Sequence, residues 1–207
     1  RRLRPRQDMA AGGMGVSRLI PGAHLAQIAD SSELHLLIMA FLRQQQIAET
    51  HGAFLSIMFT DLVGSTRRAS SSGDSAWKQL LDRHDAVSRF QVSRRGGEVI
   101  KTTGDGVLAL LPSATAAIEV AKAIREELEH DELEVRSGIH IGEVDRRGDD
   151  VSGLAVNIAA RIMSTAGAGQ ILASAFVAGT TDAASFTSLG PQALKDIDGT
   201  WELHAAR

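Results

Sequence analysis

The sequence contains no cysteine, which removes disulfides, thiolate zinc sites and cysteine nucleophiles together and fits a reducing compartment. It has no long apolar run. The most apolar stretch, Leu34 to Leu42, is interrupted by His35 and is far shorter than a bilayer crossing requires. Excess basic charge is also missing: a formal net charge of -3 leaves no field for wrapping nucleic acid, so any phosphate site must be local. Arg1, Arg2, Arg4 and Arg6 open the chain, but no apolar core of a secretory signal follows them. There is no G-x-S-x-G nucleophile elbow, no GGDEF-like segment and no internal repeat. Together these absences predict a cytoplasmic protein that neither wraps nucleic acid nor inserts into a membrane.

What is present is a globular composition, 43% hydrophobic and 23% charged, in 207 residues: one ordinary domain plus an appendage. Residues 1–16, rich in Arg, Gly and Ala, are expected to be a disordered tail. Residues 17–50 hold a strand-like stretch and a helical stripe, Leu34, Leu37, Ile38 and Phe41. Residues 51–207 alternate strands with helices. Phe54 to Thr60 is an apolar run ending at Asp61, the pattern of a buried strand. A helix is predicted over Asp74 to Arg94, with Asp74 as N-cap, Trp77, Leu80, Leu81, His84 and Val87 on one face, and Gly96-Gly97 ending it. Glu98–Thr102 and Val107–Leu111 form a hairpin through Thr103-Gly104-Asp105-Gly106. Then come a helix over 113–129, a strand over 134–143, a helix over 156–164, a strand over 170–173 and a final strand pair at 185–189 and 201–204. The order strand, helix, strand, strand, helix, strand is the split βαβ, ferredoxin-like pattern. The expected fold is therefore α+β: a mainly antiparallel sheet with helices on one face and extra C-terminal strands.

Asp61 and Asp105 each stand where a strand gives way to a glycine-containing turn, on a rigid edge that a ligand can approach. The stretch Leu62-Val63-Gly64-Ser65-Thr66 can offer backbone N–H groups to a phosphate. Two such carboxylates sharing two Mg²⁺ ions would suit in-line phosphoryl displacement. Either aspartate alone is as readily explained by turn or cap chemistry.

Three segments, FTDLVGST (59–66), IKTTGDG (100–106) and GDDVSGLAVNIAARI (148–162), resemble the class III adenylyl and guanylyl cyclases in order and interval, and the likeness runs over residues 54–207. The resemblance implies that Asp61, Asp105 and the backbone carbonyl of Leu62 hold two Mg²⁺ or Mn²⁺ ions. It places Lys101 and Asp150 on the pair that reads the purine, and that pair suits adenine. A lysine can donate to N1 and a carboxylate can accept from N6, whereas guanine asks for the reverse polarity. It places Asn157 and Arg161, i and i+4 on one helix face, at the ribose and at charge developing on the α-phosphoryl group. Lys195, in ALKDIDG, resembles a lysine that contacts the terminal phosphates. No protein base stands out for the ribose 3′-OH. Because the family divides each site between subunits, the resemblance implies a homodimer that makes cyclic AMP from ATP. The alternatives are a guanylate or dual-specificity cyclase, or a catalytically silent nucleotide-binding or dimerisation module.

Separately, IPGAHLAQIADSSELHLLIMAFL (20–42) resembles the last strand and helix of an α/β-hydrolase domain, without that family's nucleophile. His84, His130, His140 and His204 show no metal-ligand spacing. His140 is expected in the core or an interface, Trp77 and Trp201 in packing, and Arg67-Arg68 and Arg94-Arg95 as solvated helix ends.

Overall fold

The first strand, β1 (Ala53–Leu62), carries apolar side chains toward both faces, and the sheet is built outward from it. The computed structural model describes residues 53–182 and 185–207, all within the unit His51–Arg207. The segments 1–16 and 17–50, with the stripe at Leu34 to Phe41 and the hydrolase-like stretch, lie outside the described residues.

After β1 come α1 (Ser65–Ser72), α2 (Asp74–Arg94), the hairpin β2 (Glu98–Thr102) and β3 (Gly106–Leu111), α3 (Ala114–Glu129) and the long β4 (Val135–Arg147). Next are β5 (Asp150–Ser152), α4 (Leu154–Thr165), β6 (Ile171–Ser174), α5 (Ala175–Gly179), β7 (Phe186–Ala193) and β8 (Thr200–Ala206). The sheet order is β2-β3-β1-β4-β6-β8-β7, with β5 folded back on β4. Only β4 and β6 run parallel among these pairings. The antiparallel α+β core is the expected one. α1, β5 and α5 are additions: all are short, and none carries enough apolar periodicity to show in sequence.

The expectation of helices on one face does not hold. On one face α2 and α3 bring Val87, Val92, Val120, Ile124 and Leu128 onto Met58, Val107, Ala109 and Leu111. On the other, α4 brings Ala155, Val156 and Ala159 onto Ile57, Leu108 and Leu110. The reason is visible in β3, whose six residues GVLALL are all buried. A strand apolar at every position needs cover on both sides. α4 joins two parallel neighbours, β4 and β6, and so must cross the sheet face. Asp74 likewise is the first helical residue and not the N-cap; Gly73, at φ 77°, precedes the helix.

Glycines on β4 set how closely α4 lies. A Cβ at Gly138 would overlap the backbone nitrogen of Met163, and one at Gly142 would overlap the Cβ of Ala155. Backbone cannot give as a flexible side chain can, so Gly138→Ala is expected to cost about 2–3 kcal/mol. A fall in the denaturant midpoint with unchanged slope checks this.

Candidate functional site

Asp61 lies near the end of β1, opposite Gly106 on β3 and Arg136 on β4. Asp105 lies in the tight turn between β2 and β3. Gly104 there takes φ 91°, which favours glycine. The turn sits hard against β1: the Leu62 N–H donates to the Asp105 carbonyl at 3.0 Å, and a Cβ at Gly106 would overlap the Thr60 carbonyl oxygen. The two carboxylates therefore share one rim, close enough for the Asp105 charge to act on Asp61. Between them opens a cavity of about 400 Å³, also lined by Leu62 to Ser65, Arg67 and Arg136.

The phosphate-facing stretch is narrower than its sequence suggests. The Val63 N–H donates to Glu134 at 2.8 Å, so the amides of Leu62 and Val63 are both engaged. Free intrahelical valence begins at Gly64, because the first amides of α1 have no partner within the helix. The Arg68 N–H, donating to the Gly64 carbonyl at 3.0 Å, makes the first such bond.

Arg136 is the residue that sequence inspection missed. Its Nε donates to Asp61 Oδ2 at 2.8 Å, and a terminal nitrogen contacts the same oxygen. Burial pushes the Asp61 carboxyl up, the Arg136 hydrogen bonds oppose this, and the Asp105 charge adds to the push. Two carboxylates, Asp61 and Asp105, and two guanidiniums, Arg67 and Arg136, line the cavity. No group of three or more His, Cys, Asp or Glu suited to a metal occurs among the described residues. A cation here would complete its shell from main-chain, water or substrate oxygen. This all-oxygen donor set fits a hard divalent cation such as Mg²⁺ or Mn²⁺.

The remaining predicted residues lie elsewhere; none of them lines that cavity. Lys101 on β2, beside a register shift, donates through Nζ to both oxygens of Asp150 on β5, at 2.7 and 2.8 Å. The Lys101 ammonium, and then the Val151 N–H, hold the Asp150 carboxyl below its ordinary value. Arg146 and Glu98, 2.6 Å apart, tie the same arm down. Asn157 is exposed on α4. One turn on, Arg161 donates to Asp196 at 2.9 Å. Asp196 takes φ 60°, and its neighbour Lys195 is exposed. Nothing is described of the Thr66 side chain. The chain thus carries the Asp61–Asp105 cavity, the Lys101–Asp150 pair, and Asn157 and Arg161 on α4, and none of the last four residues lines the cavity.

Other expectations resolve locally. Arg67 lines the aspartate cavity, so it is not merely a solvated helix end. Arg95 is held by Glu119 at 3.2 Å and Gln91 at 2.8 Å. Buried His140 shares a hydrogen bond with Ser174 Oγ at 2.8 Å and packs edge-on against Trp201 at 5.6 Å. Burial pushes its pKa down to about 4, so the ring is neutral at pH 7. No helix among the described residues is long and apolar enough to cross a membrane.

The model of the adenylate and guanylate cyclase catalytic domain matches residues 47–200. An adenylate cyclase of Streptomyces coelicolor is 39% identical over 114 residues, covering 54% of this chain and 30% of that protein. The chain spans about a third of the length of the first curated relatives it matches, 30% and 32%. The adenylyl cyclase CyaB of P. aeruginosa superposes with a TM-score of 0.69 at 22% identity, over 74% of this chain and 93% of that one. The guanylate cyclase domain of RhGC from Catenaria anguillulae, solved with GTP, also gives 0.69, at 21% identity over 76% and 97%. The fold is common to both, and does not by itself choose between the two bases.

Proposed function

Because the chain belongs to the adenylate and guanylate cyclase catalytic domain family, we propose that it converts ATP to 3′,5′-cyclic AMP and diphosphate at sites shared across a homodimer. The observation that carries the proposal is that Lys101, Asp150, Asn157 and Arg161 do not line the cavity between Asp61 and Asp105 on the same chain. Neither set is a working site alone. Two-fold pairing of identical chains can set the aspartates of one against the exposed face of the other, and symmetry then makes two such sites.

Asp61, Asp105 and the Leu62 carbonyl would hold two Mg²⁺ or Mn²⁺ ions. When bound, these supply positive charge at the triphosphate and acidify the ribose 3′-OH. Arg136, held beside Asp61, would meet a phosphate oxygen next to the amides from Gly64 onward. Lys101 donates to adenine N1 and Asp150 accepts from the N6 amino group. Asn157 holds the ribose, Arg161 meets charge building on the α-phosphoryl oxygens, and Lys195 reaches the terminal phosphates. The 3′-oxygen forms its bond to the α-phosphorus as the bond to the bridging oxygen breaks and diphosphate leaves. The hydroxyl proton passes to water or to the substrate.

The test is the full chain incubated with ATP or GTP and Mg²⁺ or Mn²⁺. Cyclic AMP as the main product is expected. Cyclic GMP as the main product would overturn the base assignment. The absence of any cyclic nucleotide in all four combinations would leave a silent module instead.

A further inference from the structure

His84 is a buried titratable group with no part in the steps above. It sits on α2 with no exposure to solvent, directly behind β1. Its Nε2 lies 3.5 Å from Thr60 Oγ1 and its Nδ1 3.2 Å from Asp85 Oδ1. The same Thr60 hydroxyl oxygen accepts from the Val107 N–H at 3.2 Å. Thr60 precedes Asp61, and Val107 follows Asp105 and Gly106. One buried hydroxyl, on β1 next to Asp61, therefore also holds β3 two residues after Asp105.

The directions of these bonds are fixed by elimination. A backbone N–H can only donate, so Thr60 Oγ1 accepts from Val107. The Asp85 carboxylate can only accept, so Nδ1 bears the hydrogen and donates it. In a neutral ring Nε2 then carries the lone pair and accepts from the Thr60 O–H. Burial agrees with a neutral ring: it holds the imidazole below its ordinary value, against the pull of Asp85.

We infer that the chain Val107–Thr60–His84–Asp85 is a positioning device that holds Asp61 and Asp105 at the separation needed to share cations. The inference rests on the proposed role of those two aspartates as metal ligands. Backbone pairing from Ser56↔Leu111 to Asp61↔Gly106 fixes the register of β3 on β1. The Val107–Thr60–His84 hydrogen bonds tie the aspartate end of that ladder to α2. Groups that orient metal ligands without touching the metal typically change affinity 10- to 100-fold when removed.

The experiment titrates Mn²⁺ into the full chain and follows free Mn²⁺ by electron paramagnetic resonance, with Asp105→Asn marking binding at this site. Thr60→Val keeps the shape and a strand-favouring side chain but loses the hydroxyl. It is expected to stay folded by circular dichroism and to bind Mn²⁺ about 10- to 100-fold more weakly, with Thr60→Ser restoring affinity. On the other side of the bond, His84→Gln keeps an acceptor and should bind more tightly than His84→Leu. A folded Thr60→Val protein with wild-type affinity would overturn the inference and leave the cyclase proposal standing. If Thr60→Val unfolds, equal affinities for His84→Gln and His84→Leu would overturn it in the same way. Wild-type Mn²⁺ binding insensitive to Asp105→Asn would instead refute the metal site itself, and the inference with it.

Discussion

Asp61→Asn and Arg161→Ala proteins, each inactive alone, are expected to recover about a quarter of wild-type cyclase activity when mixed and allowed to exchange subunits. Random exchange makes about half of the dimers mixed, and each mixed dimer holds one doubly damaged site and one intact site. The single losses should be large. Removing a guanidinium that meets developing charge costs about 10²–10³ in kcat, and loss of a metal carboxylate should cost at least as much. Both proteins should fold. The amide oxygen introduced by Asp61→Asn can still accept from Arg136. The Arg161–Asp196 pair is surface-exposed, with side chains 38% and 64% accessible, the kind of ion pair that contributes little to stability. Cyclic AMP formation against mixing time, with native mass spectrometry to confirm exchange, gives the answer. A mixture that exchanges yet stays inactive would refute the shared site.

That result turns on a division that sequence spacing alone could not supply. Asp61 and Asp105 were legible because each ends a recognisable strand, and their nearness follows from the hairpin TTGDG returning along β1. Asn157 and Arg161 were legible because helical spacing is local. Arg136 was not: it stands beside Asp61 only through the register of β1 against β4, which depends on how the whole sheet aligns. Asp196 was hidden for a similar reason, since its approach to Arg161 depends on a loop residue at φ 60°. The side of the sheet that α4 covers was written in Gly138 and Gly142 on β4 and in the unbroken apolar run of β3. The ferredoxin-like pattern drew attention away from both. α1 has almost no apolar content, and β5 is three residues long, so their sequences carried little signal even though both elements border the proposed site.

The purine-reading pair yields the second large effect. Lys101→Glu with Asp150→Cys is expected to lower kcat/KM for ATP by about 10²-fold or more and to admit GTP. In the free protein Lys101 and Asp150 satisfy each other, with Nζ donating to both carboxylate oxygens at 2.7 and 2.8 Å. Adenine must replace that mutual bond with one donor to N1 and one acceptor from N6, so the resting pair already shows the polarity the base requires. Guanine offers a protonated N1 and the O6 acceptor. Against the wild-type pair it would set a donor against a donor and an acceptor against an acceptor, and each mismatch strands a polar group once the base covers it. The carboxylate introduced by Lys101→Glu would accept from the guanine N1–H, and the thiol introduced by Asp150→Cys would offer a weak donor to O6. The exchange should leave the fold intact, since both side chains are about half exposed, 45% and 56%. An unchanged thermal midpoint therefore separates a specificity effect from damage. The single variants should each lose ATP turnover without gaining GTP, because each corrects only one of the two mismatches. If the double variant keeps wild-type preference for ATP, the base is read by other residues, and the choice of substrate must be sought away from β2 and β5.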